Sequence, residues 1–253
     1  MEITKKQPKD WKPANIANFW NWQSQNPQSQ TEYFTSMVGN GLIRMLRAQR
    51  MLKGDVLDYG CGAGHLLNLM NKEPEGDYYG LDFSPDSIEA TRKRNENNRR
   101  IKELLWIEKL PSDFKNNQFD SITFIETIEH LQDNTLHATL DELYRILRPG
   151  GKILITTPFN ESLEQNVTFC PFCMSEFHHM QHMQSFTIQS ITKLLQQHGF
   201  VLTYCKNIDL NNYQMGPVKS GIKKMLLKIV TALGLKKPID NLTPNLVTIV
   251  SKN

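Results

Sequence analysis

The stretch that decides the fold reads Val56-Leu57-Asp58-Tyr59-Gly60-Cys61-Gly62-Ala63-Gly64-His65-Leu66-Leu67. A short apolar run, which predicts a strand, leads into three glycines at alternate positions and then into a helical pattern. Glycine lets the backbone approach a ligand closely, and the start of a helix offers unpaired N–H groups. The stretch therefore predicts a strand, a ligand-binding turn and a helix, with a nucleotide-like cofactor as the ligand.

A second acid supports this prediction. Asp82 ends the next predicted strand, about 20 residues after the glycines, where a carboxylate can accept hydrogen bonds from both ribose hydroxyls of a cofactor. The pattern Asp58-x-Gly60-x-Gly62-x-Gly64 differs from the G-x-G-x-x-G of dinucleotide-binding dehydrogenases. A nicotinamide-dependent dehydrogenase therefore remains only as an alternative.

The rest of the chain alternates short apolar runs with helical patterns, which indicates βαβ units and a parallel sheet. Strands are predicted over residues 55–59, 78–82, 104–107, 121–125, 152–156, 201–207 and 247–250. A helix over 134–147 stops before the breaker cluster Pro149-Gly150-Gly151, which is expected to turn the chain into the next strand. We expect residues 1–50 to form an N-terminal helical cover, with helices over 14–25 and 31–50. Residues 51–253 then form the main domain, with insertions at about 158–186 and 208–244.

These motifs resemble class I S-adenosylmethionine-dependent methyltransferases of the small-molecule branch, over roughly residues 40–205. Residues 58–64 resemble the first motif of that family and Gly80-Leu81-Asp82-Phe83-Ser84 the second. Two further stretches are typical of it, residues 119–131 and residues 147–155. The resemblance implies a Rossmann-like α/β fold with helices on both faces of a seven-stranded sheet. Its implied strand order is 3-2-1-4-5-7-6, with the last-numbered strand antiparallel.

The resemblance also implies S-adenosylmethionine as cofactor and a set of residues that bind it. In that family Gly60 and Gly62 would line the methionine part, Asp82 would bind the ribose and Phe83 would pack on the adenine. Trp106 stands where relatives often place an adenine-binding acid, and an indole nitrogen only donates, so Glu108 or backbone groups take that contact. The whole predicted cofactor set is Asp58, Gly60, Cys61, Gly62, Gly64, Asp82, Phe83, Glu108 and Glu126.

His130 is the candidate catalytic residue. It follows the fourth predicted strand, where the acceptor would meet the methyl group, with Glu126 and Glu129 as neighbours. Methyl transfer depends largely on positioning, but a hydroxyl acceptor must also lose a proton, which a histidine can take. The alternative is that His130 only caps or packs the following segment.

A Cys/His cluster lies in the first insertion. Cys170, Cys173, His178 and His182 have the spacing C-x2-C-x4-H-x3-H, and two thiolates with two imidazoles form a closed tetrahedral zinc set. The cluster predicts structural zinc that orders a short loop. Two alternatives stay open, namely reactive or incidental thiols, and histidines such as His182 that face the substrate without metal.

The composition and charge of the chain limit the classes of binding partner that we expect. The net charge of +3 is too small to indicate nucleic acid without a clustered basic patch, so nucleic acid is not the expected partner. No apolar run follows the N-terminal lysines, which predicts a cytoplasmic protein. Residues 219–237 form an amphipathic basic pattern that is compatible with contact to a membrane surface, although most such helices cover a core. The sequence leaves the oligomeric state open.

Together these features predict a methyltransferase acting on a small or carrier-linked acceptor, with O-methylation slightly favoured. The Asn/Asp-Pro-Pro-Tyr/Phe signature of amino-nitrogen methylation is absent after the fourth strand, where Glu126-Thr127-Ile128-Glu129 stands. The alternative outside enzymes is a zinc-knuckle protein that binds single-stranded nucleic acid.

Overall fold

The computed structural model of the chain describes residues 11–26, 28, 33–172, 174–210 and 245–253. Its centre is a seven-stranded sheet of order β3-β2-β1-β4-β5-β9-β8. The sheet strands are β1 Gly54–Tyr59, β2 Gly76–Asp82, β3 Ile101–Trp106, β4 Phe119–Ile125, β5 Leu147–Pro158, β8 Val201–Ile208 and β9 Asn245–Ser251. Each predicted strand overlaps one of these. The implied order is confirmed, because β8 and β9 are the sixth and seventh strands of this sheet.

Helices cover both faces of the sheet. They are α1 Pro13–Gln25, α2 Phe34–Ala48, α3 His65–Met70, α4 Pro85–Arg94, α5 Asp133–Ile146 and α6 Ile188–Gln197. Side chains alternate across a strand, so Val56 packs with Leu42 of α2 while its neighbour Leu57 packs on the opposite face with Leu140 of α5. The first five strands run parallel and β9 is antiparallel to both neighbours. Its central residues are fully buried.

The insertion over residues 158–186 contains a hairpin that the sequence analysis did not predict. Strand β6, Val167–Cys170, pairs antiparallel with β7, Ser175–His178. Residues of β6 are mostly exposed, so the strand lacks the apolar alternation that marks a half-buried strand. The end of the insertion docks on the domain, where the backbone N–H groups of Met183 and Gln184 donate to the Glu129 carbonyl at 2.7 and 3.0 Å.

The breaker cluster Pro149-Gly150-Gly151 behaves differently from the prediction. Strand β5 already begins at Leu147, so the cluster forms an irregular start of that strand rather than a turn before it. Gly150 has a φ of 78°, and its N–H donates to the Lys252 carbonyl at 2.7 Å. The pairing register with β4 shifts at the same place.

Part of the predicted organisation lies outside the described residues. This holds for the basic segment 219–237 and for all of the 208–244 insertion after residue 210. Among the helices that the structure describes, none combines the length and apolar character needed to cross a membrane.

Candidate active site

The candidate site lies at the carboxyl ends of the central strands. Strand β1 pairs with β2 on one side and with β4 on the other, so the strand order reverses beside β1. Ligands of open α/β sheets bind in the crevice at such a switch point. The glycine turn after β1, Asp82 at the end of β2 and the segment after β4 all meet there.

The glycine turn has backbone angles that a side chain would oppose. Gly60, Gly62 and Gly64 have φ values of 75°, 51° and 74°, in the left-handed region that favours glycine. A Cβ atom at Gly60 would lie 2.6 Å from the Thr127 hydroxyl oxygen, and one at Gly62 would lie 3.0 Å from the Tyr33 ring. Thr127 and Tyr33 therefore enclose the turn closely.

Asp82 connects β2 to this turn. Its Oδ2 atom accepts a hydrogen bond from the Gly62 N–H at 2.8 Å, and its Oδ1 atom accepts one from the Ser84 N–H at 2.9 Å. The Phe83 N–H also interacts with this carboxylate, which has about four lone-pair positions, so acceptor capacity remains for a ligand. Burial raises the pKa of Asp82 to about 6, although the backbone hydrogen bonds from Ser84 and Gly62 oppose the rise.

The side chains of Asp58 and Cys61 face protein atoms. Asp58 is 3% exposed and its Oδ1 accepts a hydrogen bond from the Thr123 hydroxyl at 2.7 Å. The Cys61 thiol is buried 3.9 Å from the Thr91 hydroxyl. Burial raises the pKa of Asp58 to about 7 and that of Cys61 well above its ordinary value. Both side chains hold the turn in place. A contact between the cofactor and the backbone groups of Asp58 and Cys61 stays a prediction.

The residues predicted to bind the adenine lie directly after β2 and β3. Phe83 packs edge-on against the Tyr59 ring, with centroids 6.4 Å apart. The Trp106 indole N–H donates to the Phe83 carbonyl at 3.2 Å, which fixes the end of β3 against the end of β2. Glu108 is exposed directly after β3. Its adenine contact stays a prediction.

Two glutamates follow β4. Glu126 has a φ of 44°, unusual for a residue with a side chain, and its N–H donates to the Thr156 carbonyl at 2.9 Å. Glu129 is only 1% exposed, and neither of its carboxylate oxygens accepts a hydrogen bond from the described residues. Burial raises the pKa of Glu126 to about 7, and burial together with the Glu126 charge raises the pKa of Glu129.

His130 lies between two rings at the edge of this site. It ends the short 3₁₀ helix Ile128–His130, and its ring centroid lies 4.7 Å from that of Trp20 on α1 and 4.8 Å from that of His182. Its Nδ1 atom is 3.4 Å from the Gln181 carbonyl oxygen. Burial and the neighbouring His182 hold the pKa of His130 well below its usual range, so the imidazole is neutral at pH 7.

The described residues do not assemble the predicted Cys/His zinc set. Cys170 pairs with Ser175 at one end of the hairpin and His178 pairs with Val167 at the other. Ser175 and His178 are three positions apart along β7, which is about 10 Å at the usual rise. Cys173 lies outside the described residues. The groups of possible ligands that do come together are Glu129, His130 and His182, and Glu161, His178 and His182.

Some residues of the site carried no clear signal in the sequence. Glu161 contacts His182, with Oε2 and Nδ1 2.5 Å apart, yet no motif surrounds it. Tyr33 and Trp20 belong to the helical cover, where an aromatic residue is more often part of the core. Glu129 was visible only as a neighbour of His130. A buried carboxylate beside a histidine is the signal that could have indicated it.

Comparisons with known proteins identify a matching family model and several relatives. A family model described as a methyltransferase domain matches residues 32–204. A ubiquinone/menaquinone biosynthesis C-methyltransferase of Desulfotalea psychrophila is 34% identical over 108 residues, which cover 42% of this chain and 42% of that protein. A 2-phytyl-1,4-naphtoquinone methyltransferase of Nostoc punctiforme is 34% identical over 103 residues, 39% of this chain and 44% of that protein. The matches thus span less than half the length of these relatives.

One solved structure resembles this chain over nearly its whole length. It is the Burkholderia thailandensis 1,6-didemethyltoxoflavin-N1-methyltransferase with bound 1,6-didemethyltoxoflavin and S-adenosylhomocysteine. The TM-score is 0.62, and the superposition covers 96% of this chain and 91% of that one. The sequences are 14% identical, so the likeness concerns the fold.

Proposed function

This chain belongs to the class I S-adenosylmethionine-dependent methyltransferases, and from that premise we propose that it methylates a small or carrier-linked acceptor, with an acceptor oxygen favoured. The observation that carries the proposal is the hydrogen bond from the Gly62 N–H to Asp82 at the switch point of the sheet. It joins the glycine turn to the carboxylate that would bind the ribose.

The residues present fit the cofactor. Asp82 keeps acceptor capacity for the ribose hydroxyls beside its backbone hydrogen bonds, and the left-handed φ values of Gly60 and Gly62 favour glycine in the turn. Phe83 and Glu108 stand on the side where the adenine would lie. The cofactor supplies a methyl group bound to a positively charged sulfur, and the chain's part is to hold the acceptor in line with it.

The acceptor would lie on the side of Glu126 and His130. Trp20 of α1 covers His130 from one side and the insertion covers it from the other. The carbonyl of Gln181 can only accept, so the neutral ring carries its proton on Nδ1 and leaves a lone pair on Nε2. That lone pair can receive the proton of an acceptor hydroxyl.

Calorimetry with the full chain tests the proposal directly. We expect S-adenosylhomocysteine to bind with a dissociation constant on the micromolar scale, typical of enzyme ligands, and NAD not to bind at millimolar concentration. The glycine spacing is the physical reason, because a dinucleotide needs the G-x-G-x-x-G turn. Tighter binding of NAD, or of a single-stranded oligonucleotide, would reject methyl transfer in favour of one of the alternatives.

The affinity for S-adenosylhomocysteine should also depend on pH. Burial raises the pKa of Asp82 to about 6, and only its ionised form is a strong acceptor for two hydroxyls. Affinity is therefore retained above pH 6 and falls as the pH drops through this value, by about tenfold per pH unit well below it. Asp58, whose pKa is raised to about 7, interacts electrostatically with Asp82.

Titration calorimetry from pH 5 to pH 8 measures this profile. Asp82→Asn should give a weaker but flat profile, whereas Asp58→Asn should keep the slope below pH 6. A wild-type affinity that stays constant between pH 5 and pH 8 contradicts the role of Asp82.

A further inference from the structure

Three side chains on the acceptor side converge without a group that explains them. A carboxylate oxygen of Glu129 and one ring nitrogen each of His130 and His182 lie within 4.8 Å of one another. They come from the segment after β4 and from the end of the insertion, which are joined by the backbone hydrogen bonds to the Glu129 carbonyl. The cluster is therefore fixed by the fold.

Both imidazoles present a free lone pair. The Nδ1 atom of His130 lies 3.4 Å from the Gln181 carbonyl, and the Nδ1 atom of His182 lies 2.5 Å from Oε2 of Glu161. A carbonyl and an ionised carboxylate accept hydrogen bonds, so each Nδ1 carries the proton and each Nε2 is free to bind. A histidine oriented by a carboxylate or carbonyl in this way is the usual arrangement of a metal ligand.

Glu129 supplies the carboxyl group of this cluster. It is buried, with Glu126 as a second carboxyl nearby, and the Thr157 hydroxyl and its own backbone N–H compensate its charge only in part. An uncompensated buried carboxylate is costly, and either a proton or a cation can compensate it. A proton leaves the two imidazole lone pairs unexplained, whereas a cation uses all three groups.

The neighbouring set of Glu161, His178 and His182 is a weaker candidate. The Nδ1 atom of His178 accepts a hydrogen bond from the His182 backbone N–H at 3.2 Å. In the neutral ring the proton then lies on Nε2, which faces Oε1 of Glu161 at 3.4 Å. The Nε2 atom of His178 thus faces Glu161 without a hydrogen bond of good geometry. Glu161 itself orients His182, so this second set positions one member of the Glu129, His130 and His182 cluster.

We propose that Glu129, His130 and His182 bind one divalent transition-metal ion, with zinc as the reference ion. Two imidazoles and one carboxylate suit zinc, and three protein ligands leave a position open for an oxygen ligand. This differs from the closed Cys/His set predicted from the spacing, because Cys170 lies at the far end of the hairpin.

The open position defines the class of acceptor, and this step rests on the proposed function. A hydroxyl on the bound ion would lose its proton to water far more readily than a free one, so neither metal-bound imidazole is needed as the base. The acceptor would thus be a phenol, enol or other hydroxyl compound, bound through its oxygen beside the cofactor. Binding of the metal does not itself depend on methyl transfer.

Metal binding can be measured on the full chain without any acceptor. After treatment with a chelator, zinc should bind at one ion per chain in calorimetry. Glu129→Gln and, separately, His182→Gln should weaken binding at least about 100-fold, because loss of a direct ligand costs more than loss of an orienting partner. The matched controls Glu164→Gln and His179→Gln, both at exposed positions, and Cys170→Ser should bind as the wild type does.

Cobalt in place of zinc gives a second readout. A site of two imidazoles and a carboxylate lacks the intense near-ultraviolet band that a thiolate ligand adds, so that band should be absent in the wild type. S-adenosylhomocysteine should bind Glu129→Gln and the wild type equally, which separates failure of the metal site from failure of the proposed function. The proposal is overturned if the wild type binds no zinc, or if Cys170→Ser abolishes binding while Glu129→Gln keeps it.

Discussion

Replacing Asp82 with alanine should lower the affinity for S-adenosylhomocysteine by at least about 100-fold. Each hydrogen bond to a charged acceptor contributes about 1.5–3 kcal/mol, and the ribose would lose two. A loss of about 3 kcal/mol corresponds to more than 100-fold in the dissociation constant. The variant also frees the Gly62 and Ser84 N–H groups that Asp82 now binds, so the turn loses its anchor as well. Calorimetry at pH 7.5 measures the change.

Asp86→Ala is the matched control for this variant. Asp86 lies four residues along the chain at the start of α4, and its carboxylate accepts a hydrogen bond from the Gln25 side chain at 2.7 Å in an exposed position. The affinity of Asp86→Ala for S-adenosylhomocysteine should stay within about twofold of the wild-type value, because an exposed contact contributes little free energy. The thermal unfolding midpoint of both variants shows whether the fold is intact. A folded Asp82→Ala protein with wild-type affinity would remove Asp82 from the cofactor site.

The central strands of the sheet were predictable because they are mostly buried. Residues such as Val56 and Ile153 form apolar runs bounded by glycine or charged residues, whereas the edge strands β3 and β8 are mostly exposed or half-buried and carry this signal more weakly. The strand order was available only through the resemblance to a family. Order depends on pairing between distant residues, as between β5 and β9, and periodicity carries no information on such pairing.

The candidate site likewise has one part that was predictable from the sequence and one part that was not. The cofactor side follows one continuous stretch and a strand end about 20 residues later, so spacing was sufficient to locate Gly62 and Asp82. The acceptor side is assembled from α1, the segment after β4 and the insertion. Trp20, Glu129 and Glu161 therefore have no fixed spacing that a sequence pattern could reveal.

The spacing of Cys170 and His178 does not by itself determine how close the two residues lie. Cys170 and His178 are eight residues apart, a distance that a compact loop can close around a metal. Residues 167–178 instead form a hairpin in which the two lie at opposite ends. Extended strands separate residues by about 3.4 Å each, so the outcome depends on local backbone conformation that the spacing does not determine.

Replacing His130 with phenylalanine should lower the turnover number by about 100-fold to 10,000-fold, the range for loss of a group that assists proton transfer. Phenylalanine keeps a ring between Trp20 and His182 but removes the Nε2 lone pair. The affinity for S-adenosylhomocysteine should stay within about twofold, because the cofactor groups lie on β1 and β2. Single-turnover kinetics with radiolabelled methyl donor and a hydroxyl acceptor separates the two quantities. His137→Phe, at an exposed position on α5, should turn over as the wild type does.

The double variant, which combines His130→Phe with His182→Phe, tests how His130 acts. If His130 takes the acceptor's proton alone, His182→Phe should have a separate effect, and the two losses in turnover should multiply. If both imidazoles act through one bound cation, either substitution removes the same ion, and the double variant should be no slower than the slower single variant. The geometry favours the second result, because both Nδ1 atoms face acceptors while a carboxylate oxygen of Glu129 lies within 4.8 Å of both rings. Multiplying losses, with zinc retained in each single variant, would leave His130 as a direct proton acceptor and reject the metal site.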